Sequence, residues 1–436
     1  MKPKGLLVAV AVLAVLGGLI WWSNKKQSAA SKTPTDTTTK LLSIPDDQFQ
    51  EIRIKKITGE LQDLRRVNGK WQLTQPTQLS ADPDTVGSMV STLSALNADK
   101  LIEDKAADLQ PYGLNNPTLD VTIVKKDGKS DELLIGDDTP TGSGAYAKLA
   151  GDPRVFTVAS FTKTSLDKTP SDLRDKRLLT FDSDKLTRVD LAAKGQPVEF
   201  GKNNQNEWQI LKPRPLRADG SQVETLITKL KDAKMDLSGA QLDIAKNFAA
   251  AAKVATVVVA DAGGNQTLEV RRDKDKNCYA RSSAVEGTYK VASDLADALD
   301  KNLDDFRNKK LFDFGFSDPS KVELKTVTYA KSGDKWLAGT KTMDNTGVQN
   351  LIDKLRDLSA AKFPEQGGGQ PVFEAKVTSN DGKRVEKVSI TKQGSQYFAQ
   401  RENEPSIYEL DSKAVDDLQK SAAEVKEPPP PAPKKK

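Results

Sequence analysis

The stretch GKWQLTQPTQLSAD, residues 69–82, returns as NEWQILKPRPLRAD at residues 206–219. Both copies hold Trp, Gln, Pro, Leu, Ala and Asp at the same positions, and their first residues are 137 positions apart. A third version, GDKWLAGTKTMD at residues 333–344, keeps the tryptophan and the final aspartate after a shorter loop. Self-similarity at long, regular spacing predicts tandem copies of one folding unit.

Further matches follow each copy in the same order. The segment AYAKL returns as CYARS and QYFAQR, VFTVASFTKTSL returns as TYKVASDLADAL and IYELDSKAVDDL, and DLRDKRLL returns as DFRNKKLF. These matches define three repeats with the following predicted bounds: repeat 1, 44–179; repeat 2, 180–312; repeat 3, 313–423.

The hydrophobic pattern inside a repeat changes from a period of two to a period near 3.6. Ile52 and Ile54 alternate with polar residues, as in a strand with one buried face. Val86, Val90 and Leu93 recur at helical spacing. Asp-Gly and Gly-Gly pairs between later apolar runs favour tight hairpins. Each repeat is therefore expected to be an antiparallel sheet with helices, which gives an α+β fold.

The repeated tryptophan and aspartate are interpreted as structural anchors of each repeat. A large ring on a strand can pack on the amphipathic helix, and an aspartate before a helix can cap its first N–H groups. The alternative is that the tryptophans line a ligand-binding surface. The predicted anchors are Trp71, Trp208 and Trp336, and Asp82, Asp219 and Asp344.

An uncharged stretch near the N-terminus predicts a transmembrane helix. Residues 5–22 would reach roughly 27 Å as a helix, enough to cross the hydrocarbon layer. Lysines flank it on both sides, and Trp21 and Trp22 suit the membrane interface. A cleaved secretory signal, with Ser28-Ala29-Ala30 as the cleavage site, is the competing interpretation. Either reading directs the chain to a membrane.

The short N-terminal flank favours a cytoplasmic N-terminus, with the body of the protein outside the cytoplasm. The predicted localisation is the cell inner membrane, as a single-pass protein. Residues 1–22 then form the anchor, residues 23–43 a flexible linker, and residues 424–436 a disordered tail rich in proline and lysine. The formal net charge of +5 lies largely at the two ends, so the nearly neutral body argues against nucleic-acid binding.

The composition excludes several kinds of catalytic and metal site. The chain has no histidine and one cysteine, which removes Ser-His, Cys-His and His-metal arrangements and multi-cysteine zinc sites. Ser160 and Lys163 fit the S-x-x-K pattern, but the other repeats keep only the serine, so Ser160 is expected to be a helix N-cap. We expect no cofactor and no enzymatic activity.

Two acidic patterns resemble functional sites, but each lacks a feature that its site needs. Asp273, Asp275 and Asn277 have calcium-loop spacing, but Cys278 and Ala284 replace the glycine and glutamate that such a loop needs. Asp137 and Asp138 could be the paired carboxylates of a hydrolase, but adjacent residues on a strand point to opposite faces.

The mixed-charge run at the end of repeats 1 and 2 is the best polar candidate for contact with a protein partner. Such a run is otherwise a solvated connector or an ion-paired link between repeats. The candidate contact residues are Asp172, Arg174, Asp175, Asp305 and Arg307.

The repeated tryptophan stretch, PYGLNNP at 111–117, LLIGDDTP at 133–140 and AYAKL together resemble the bacterial family called domain of unknown function 4340. The resemblance covers residues 44–423 and is weakest in repeat 3, which lacks clear YGL and IGD elements. It implies an association with ABC-type export components and supplies no catalytic residues. The expected function is a non-catalytic scaffold or accessory subunit of an envelope transport complex. The alternative is a binding module for an envelope glycan or peptide.

Overall fold

The computed structural model of the protein describes residues 39–315 and 319–429. The predicted anchor at 5–22, the cleavage site at 28–30 and residues 430–436 of the predicted tail lie outside these ranges. In the described part of the chain, no helix is both long and apolar enough to cross a membrane.

Three antiparallel sheets confirm the predicted α+β class. The chain divides after Lys176 into two compact units. The first unit contains one sheet, and the second contains two.

The first sheet has nine strands in the order β4-β3-β2-β1-β6-β7-β8-β9-β5. Its strands are β1 (Phe49–Lys56), β2 (Leu61–Val67), β3 (Lys70–Gln75), β4 (Leu79–Ser80), β5 (Lys100–Glu103), β6 (Leu119–Lys125), β7 (Ser130–Asp138), β8 (Gly144–Leu149) and β9 (Val155–Ala159). Its helices are α1 (Pro83–Ser94), α2 (Ser160–Leu166) and α3 (Pro170–Leu173), with 3₁₀ turns at Asp46–Gln48 and Gln110–Tyr112.

The second sheet has eight strands in the order β13-β12-β11-β10-β14-β15-β16-β17. Its strands are β10 (Arg188–Ala193), β11 (Gln196–Lys202), β12 (Trp208–Lys212), β13 (Leu216–Arg217), β14 (Ala252–Asp261), β15 (Gly264–Arg272), β16 (Cys278–Ser282) and β17 (Tyr289–Val291). Its helices are α4 (Gly220–Lys231), α5 (Gln241–Ala250) and α6 (Ser293–Leu299), with 3₁₀ turns at Ser183–Lys185 and Leu303–Asp305.

The third sheet has nine strands in the order β21-β20-β19-β18-β23-β24-β25-β26-β22. Its strands are β18 (Lys321–Leu324), β19 (Thr328–Ser332), β20 (Lys335–Ala338), β21 (Lys341–Thr342), β22 (Ala360–Lys362), β23 (Gln370–Ser379), β24 (Arg384–Gln393), β25 (Gln396–Arg401) and β26 (Ile407–Leu410). Its helices are α7 (Asn345–Asp357) and α8 (Ser412–Glu424).

Corresponding strands occupy corresponding places in the three sheets. In repeat 2 a single bridge between Asp236 and Lys290 stands where the other sheets have a ninth strand, and α5 is an additional helix. The Asp127-Gly128 hairpin between β6 and β7 forms as the sequence predicts, with Gly128 at a φ of 81°. That left-handed conformation is accessible to glycine at little cost.

Each sheet packs one face on the amphipathic helix that follows its first four strands. Alternate strand residues and one helix stripe form the cores, because both periodicities place apolar side chains on a single face. The buried helix residues are Val86, Met89, Val90 and Leu93 in α1, Val223, Leu226, Ile227 and Leu230 in α4, and Val348, Leu351, Ile352 and Leu355 in α7.

A five-residue entry segment opens each repeat, so the repeats begin three or four residues before their predicted bounds. The repeated match DLRDKRLL and DFRNKKLF contains the start of two entry segments, but the sequence pattern assigned it to the end of repeats 1 and 2. The entry segments are KLLSI at 40–44, RLLTF at 177–181 and KLFDF at 310–314. Each forms a β-bridge with the residues that follow the amphipathic helix, for example Leu41 N–H to Leu96 C=O at 2.8 Å and Leu311 N–H to Leu358 C=O at 3.1 Å. The linker prediction is therefore wrong over residues 39–43, where Leu41 and Leu42 are buried.

A closing segment ends each repeat by pairing with the residue that begins the amphipathic helix. Asp82 N–H donates to Leu173 C=O at 2.8 Å, and Asp219 N–H donates to Phe306 C=O at 2.7 Å. In repeat 3 the acceptor is Lys426, which the sequence assigned to the tail. Residues 424–427 thus belong to the fold, because α8 runs to Glu424 and the chain then pairs with α7.

Candidate interaction site between repeats 2 and 3

The three repeated tryptophans differ in exposure but all pack on the core of their own repeat. Trp208 and Trp336 are 5% and 6% exposed, and Trp71 is half-buried. The Trp208 indole N–H donates to Glu224 Oε1 at 2.5 Å, and Lys202 Nζ lies 5.0 Å from its ring centroid. Arg66 covers the ring of Trp71 at 5.3 Å. Trp208 and Trp336 are therefore mainly core residues, although Trp208 also lines the cavity between repeats 2 and 3 that is described below.

The three repeated aspartates are the N-caps of the amphipathic helices. Asp82 accepts from Thr85 N–H, Asp344 accepts from Gly347 N–H, and Asp219 accepts from the N–H groups of Ser221 and Gln222. These bonds satisfy helix N–H groups that have no partner inside the helix.

The candidate partner contacts at the end of repeats 1 and 2 have local structural roles. Asp172 and Asp305 each form a capping box, with Thr169 and Asn302 respectively. Arg174 forms a bridge with Ala81, and Asp175 N–H donates to Ser80 C=O at 2.8 Å.

Arg307 does not have the exposure that a partner contact requires. It is 6% exposed, stacks on Phe363 at 3.7 Å and donates to Asp304 and Ser406. Burial lowers the pKa of its guanidinium. The expectation of a partner contact is therefore wrong at Arg307, because repeat 3 already covers the side chain.

A cavity of about 710 Å³ lies between repeats 2 and 3 in the second unit. Repeat 2 contributes the β12–β13 edge, and repeat 3 contributes its entry segment and strands β24 and β25. The charged residues that line the cavity are Glu207, Arg217, Glu224, Lys310, Asp313, Arg384, Glu386 and Arg401.

Arg217 holds the centre of this cleft. Its guanidinium contacts Asp313 directly, lies 3.7 Å from Glu404 and donates to Lys310 C=O at 2.8 Å. Burial works to lower the pKa of Arg217, but the charges of Asp313 and Glu404 outweigh burial and raise it. The residue therefore stays charged and joins β13 of repeat 2 to the entry segment of repeat 3.

Arg401 organises the repeat 3 side of the cleft. It pairs with Glu386 at 3.0 Å and Glu404 at 2.7 Å, and it donates to Leu311 C=O. Glu386 in turn accepts the N–H of Asp313 at 2.9 Å. The entry segment is thereby fixed by charged side chains on both of its sides.

Tyr408 lies under this network. Burial, reinforced by the neighbouring Glu404 carboxylate, raises its pKa to about 12. Its hydroxyl donates to Glu404 at 2.7 Å. Glu404 is therefore shared by Tyr408, Arg401 and Arg217.

Arg384 forms the more exposed contact between the two repeats. It pairs with Glu207 at 2.9 Å and donates to Asp313 C=O at 2.8 Å. Its side chain is 35% exposed and that of Glu207 is 50% exposed, so water screens this pair. The cleft thus has a buried ionic centre and a solvated ionic rim.

The other sequence candidates do not form reactive sites. Lys163 pairs with Asp138 at 2.8 Å and donates to Gly136 C=O. Asp273 accepts from Asn277 and Tyr279, as expected of a polar turn between β15 and β16. Among the described residues, no group of acidic or cysteine side chains could hold a metal ion.

The prediction that Ser160 caps a helix is wrong by one residue. The N-cap of α2 is Ala159, which offers no side-chain acceptor, and Ser160 is the first helical residue. The matching helix α6 also begins at its serine, after Ala292. The serine persists between repeats without a capping hydrogen bond from its side chain.

The profile of one protein family, Domain of unknown function (DUF4340), matches residues 71–209 and 208–372. These segments cover more than half of the chain. The protein belongs to the DUF4340 family. The matches begin at Trp71 and Trp208, so a DUF4340 unit runs from the tryptophan of one repeat into the next repeat. A search of the curated proteins gave no match.

The DUF4340 matches end at Val372, yet the sheet of repeat 3 continues through β26 with the same strand order. The sequence did not predict the pairing of the entry segments or the Arg217 network. The entry segments had a detectable signal, namely a basic residue followed by two apolar residues at the spacing of the repeats. The Arg217 network had none, because its charged residues do not recur in the other repeats and lie far apart in the chain.

Proposed function

We propose that this DUF4340 protein is a membrane-anchored, extracytoplasmic scaffold or accessory subunit of an ABC-type envelope transport complex, and that it is not an enzyme. The observation that carries the proposal is the chemistry of the cleft between repeats 2 and 3. Its arginines pair with carboxylates and backbone carbonyls of the protein itself, so the cleft joins two repeats. A catalytic cleft needs polar groups aimed at a substrate.

The uncharged stretch at residues 5–22 supports attachment to a bilayer. The family resemblance supports an ABC-type partner. Three sheets with separate cores provide broad, stable surfaces, which suits a protein that holds others in place.

Two exposed apolar side chains provide positions at which contact with such a partner can be tested. Phe161 at the start of α2 is 66% exposed, and Leu242 at the start of α5 is 87% exposed. Contiguous apolar patches, rather than single apolar side chains, are the usual mark of a protein contact, so Phe161 and Leu242 serve here as two probe positions.

Photo-crosslinking in native membranes tests the proposal. A photoreactive residue would replace Phe161 or Leu242 in the full-length chain, and buried Phe200 would be the matched control. The proposal expects crosslinks to transport components from the exposed positions and none from Phe200. The absence of any crosslinked protein from both exposed positions would contradict a partner contact at Phe161 and Leu242.

A second candidate is a binding module for an envelope glycan or peptide. The size of the cleft, about 710 Å³, favours it, because ligand pockets commonly have this volume. A thermal-shift screen with cell-wall glycans and peptides separates the two functions, since only a binding module gains stability from a ligand. A shift that Arg384→Ala abolishes would support the binding module over the scaffold.

A further inference from the structure

The last helix of repeat 3 differs from its counterparts in repeats 1 and 2. α2 and α6 have seven residues each and end at Leu166 and Leu299, whereas α8 has thirteen. In the shorter helices the next residue is an aspartate that pairs with a lysine of the first hairpin. Asp167 lies 2.7 Å from Lys56, and Asp300 lies 3.6 Å from Lys194.

Among the described residues of repeat 3, no ion pair takes this closing position. Its helix continues through Gln419, whose amide donates instead to Val372 C=O at 3.4 Å. The space that the ion pair closes in repeats 1 and 2 is an open groove of about 640 Å³ in repeat 3. We call this the repeat-3 groove, lined chiefly by Leu324, Val327, Val372, Phe373, Gln419 and Ala422.

The groove walls are largely apolar and incompletely covered. Leu324, Val327, Val372 and Phe373 are all half-buried, although they pack against the core of repeat 3. In repeat 1 the residue in the place of Val327 is Gln62, which is fully buried and donates to Lys168 C=O at 2.7 Å. The chain after α2 covers that position in repeat 1, and α8 leaves it open in repeat 3.

The described chain leaves repeat 3 towards the end of the sheet where the groove lies. Lys426 C=O accepts from Asp344 N–H, and the Glu427 side chain pairs with Lys341 at 2.5 Å. The chain past Lys426 therefore runs antiparallel to β21, towards the turn at residues 339–340. Alternate turns of an antiparallel meander share one end of the sheet, so the β18–β19 turn of the groove lies at that end.

We propose that the proline-rich end of this chain, residues 430–436, docks in the repeat-3 groove. Strands lie about 4.8 Å apart, so the β19 and β18 walls of the groove are three and four strand spacings, roughly 14 Å and 19 Å, from the path of the chain beside β21. Seven residues of polyproline II span roughly 22 Å, which is enough to cross that distance.

The chemistry of the segment fits the groove. Its sequence, PPAPKKK, offers proline and alanine side chains to the apolar walls, and proline-rich segments dock in aromatic and aliphatic grooves at low entropic cost. The exposed carboxylate of Glu374 on the groove rim, which lies 3.5 Å from Lys387, gives the lysines of the segment an acidic partner in competition with Lys387. Docking would supply in repeat 3 the cover that the chain after the last helix supplies in repeats 1 and 2.

Disulfide trapping in the full-length chain tests the proposal. Ala432→Cys would be combined with Val327→Cys in a Cys278→Ser background, which removes the one native thiol, itself buried. The matched control pairs Ala432→Cys with Asp334→Cys. Asp334 is exposed and lies beside Asn345 at the opposite end of the sheet, also within reach of an undocked segment. Docking predicts a disulfide roughly tenfold faster with Val327→Cys.

Hydrogen exchange provides a second readout that needs no cysteine. In a chain that ends after Pro429, the backbone amide hydrogens of residues 324–327 and 371–373 should exchange faster than in the full chain. The amide hydrogens of β20 should exchange at the same rate in both chains. Equal trapping rates at the two cysteines would overturn the proposal. Unchanged exchange after removal of residues 430–436 would overturn it as well.

Discussion

The backbone N–H of Asp344 donates to the carbonyl of Lys426 at 2.8 Å, which ties the start of α7 to the residues just past α8. The same bond joins Asp82 to Leu173 in repeat 1 and Asp219 to Phe306 in repeat 2. One residue thus caps a helix with its side chain and closes its repeat with its backbone. The repeated aspartate has two structural duties, which accounts for its presence in all three copies without any catalytic role.

Shortening the chain to Glu424 should destabilise repeat 3. This truncation removes the acceptor of the Asp344 N–H and the apolar contact of Val425 with the core. We expect a loss of about 2–3 kcal/mol in the free energy of unfolding relative to a chain that ends after Pro429. Urea denaturation of the two truncated chains measures the difference. Equal stabilities would show that residues 425–427 are a tail, as the sequence indicated.

Replacing Trp208 with alanine should cost about 3–5 kcal/mol in the stability of the second unit, because it leaves a cavity in a closely packed core. Trp208→Phe is the matched control, since it keeps a ring and loses the bond to Glu224. Its cost should be clearly smaller than that of the alanine variant. Chemical denaturation followed by circular dichroism measures both variants. A stability for Trp208→Ala equal to that of the unmodified chain would show that the indole is not part of the core.

Arg217 and Arg384, which both contact residues of the other repeat, should contribute unequally to the free energy of unfolding. Arg217→Met leaves Asp313 partly buried without its cation, and we expect a cost of about 3–5 kcal/mol. Arg384→Met breaks an exposed pair with Glu207 and should cost about 0–1 kcal/mol. Denaturation of both variants at low and high salt measures the contrast. A larger effect from Arg384→Met would contradict a buried ionic centre around Arg217.

Alkaline pH should weaken the fold through Tyr408. The pKa of Tyr408 is 10.0 in an exposed setting and about 12 in the folded protein. Below pH 10 the Tyr408 hydroxyl is therefore neutral in both the folded and the unfolded state, and its titration does not reduce the free energy of unfolding. Between pH 10 and 12 the unfolded state alone ionises, which lowers stability by about 2–3 kcal/mol. Tyr408→Phe cannot ionise and should lose less over the same range. Parallel losses in the two proteins would show that Tyr408 does not titrate as expected.

The helices and strands with a regular hydrophobic period could be predicted from the sequence. The stripe of Val223, Ile227 and Leu230 predicts α4 because its period is helical, and Asp219 predicts where the helix begins. Hairpins at Asp-Gly and Gly-Gly follow from the conformations that glycine permits. These signals are local, so one sequence is sufficient to find them.

The contacts between residues far apart in the chain could not be predicted from the sequence. The entry segment at 40–44 is short and follows a stretch with the composition of a linker. Its basic-apolar-apolar start is a weak sequence signal, and its distant pairing with Leu96 has no sequence signal. Arg217 and Asp313 are 96 residues apart, and nothing in a single sequence pairs two charges over that distance. Burial of Arg307 under repeat 3 likewise depends on how two repeats meet.

The most direct test of the scaffold function is quantitative copurification of the full-length chain from native membranes under mild detergent. The matched control lacks residues 1–22 and is purified from the same cells. The proposed function predicts that ABC-type transport subunits are recovered in fixed proportion with the anchored chain and lost with the control. Recovery of the anchored chain as a solitary monomer would contradict it.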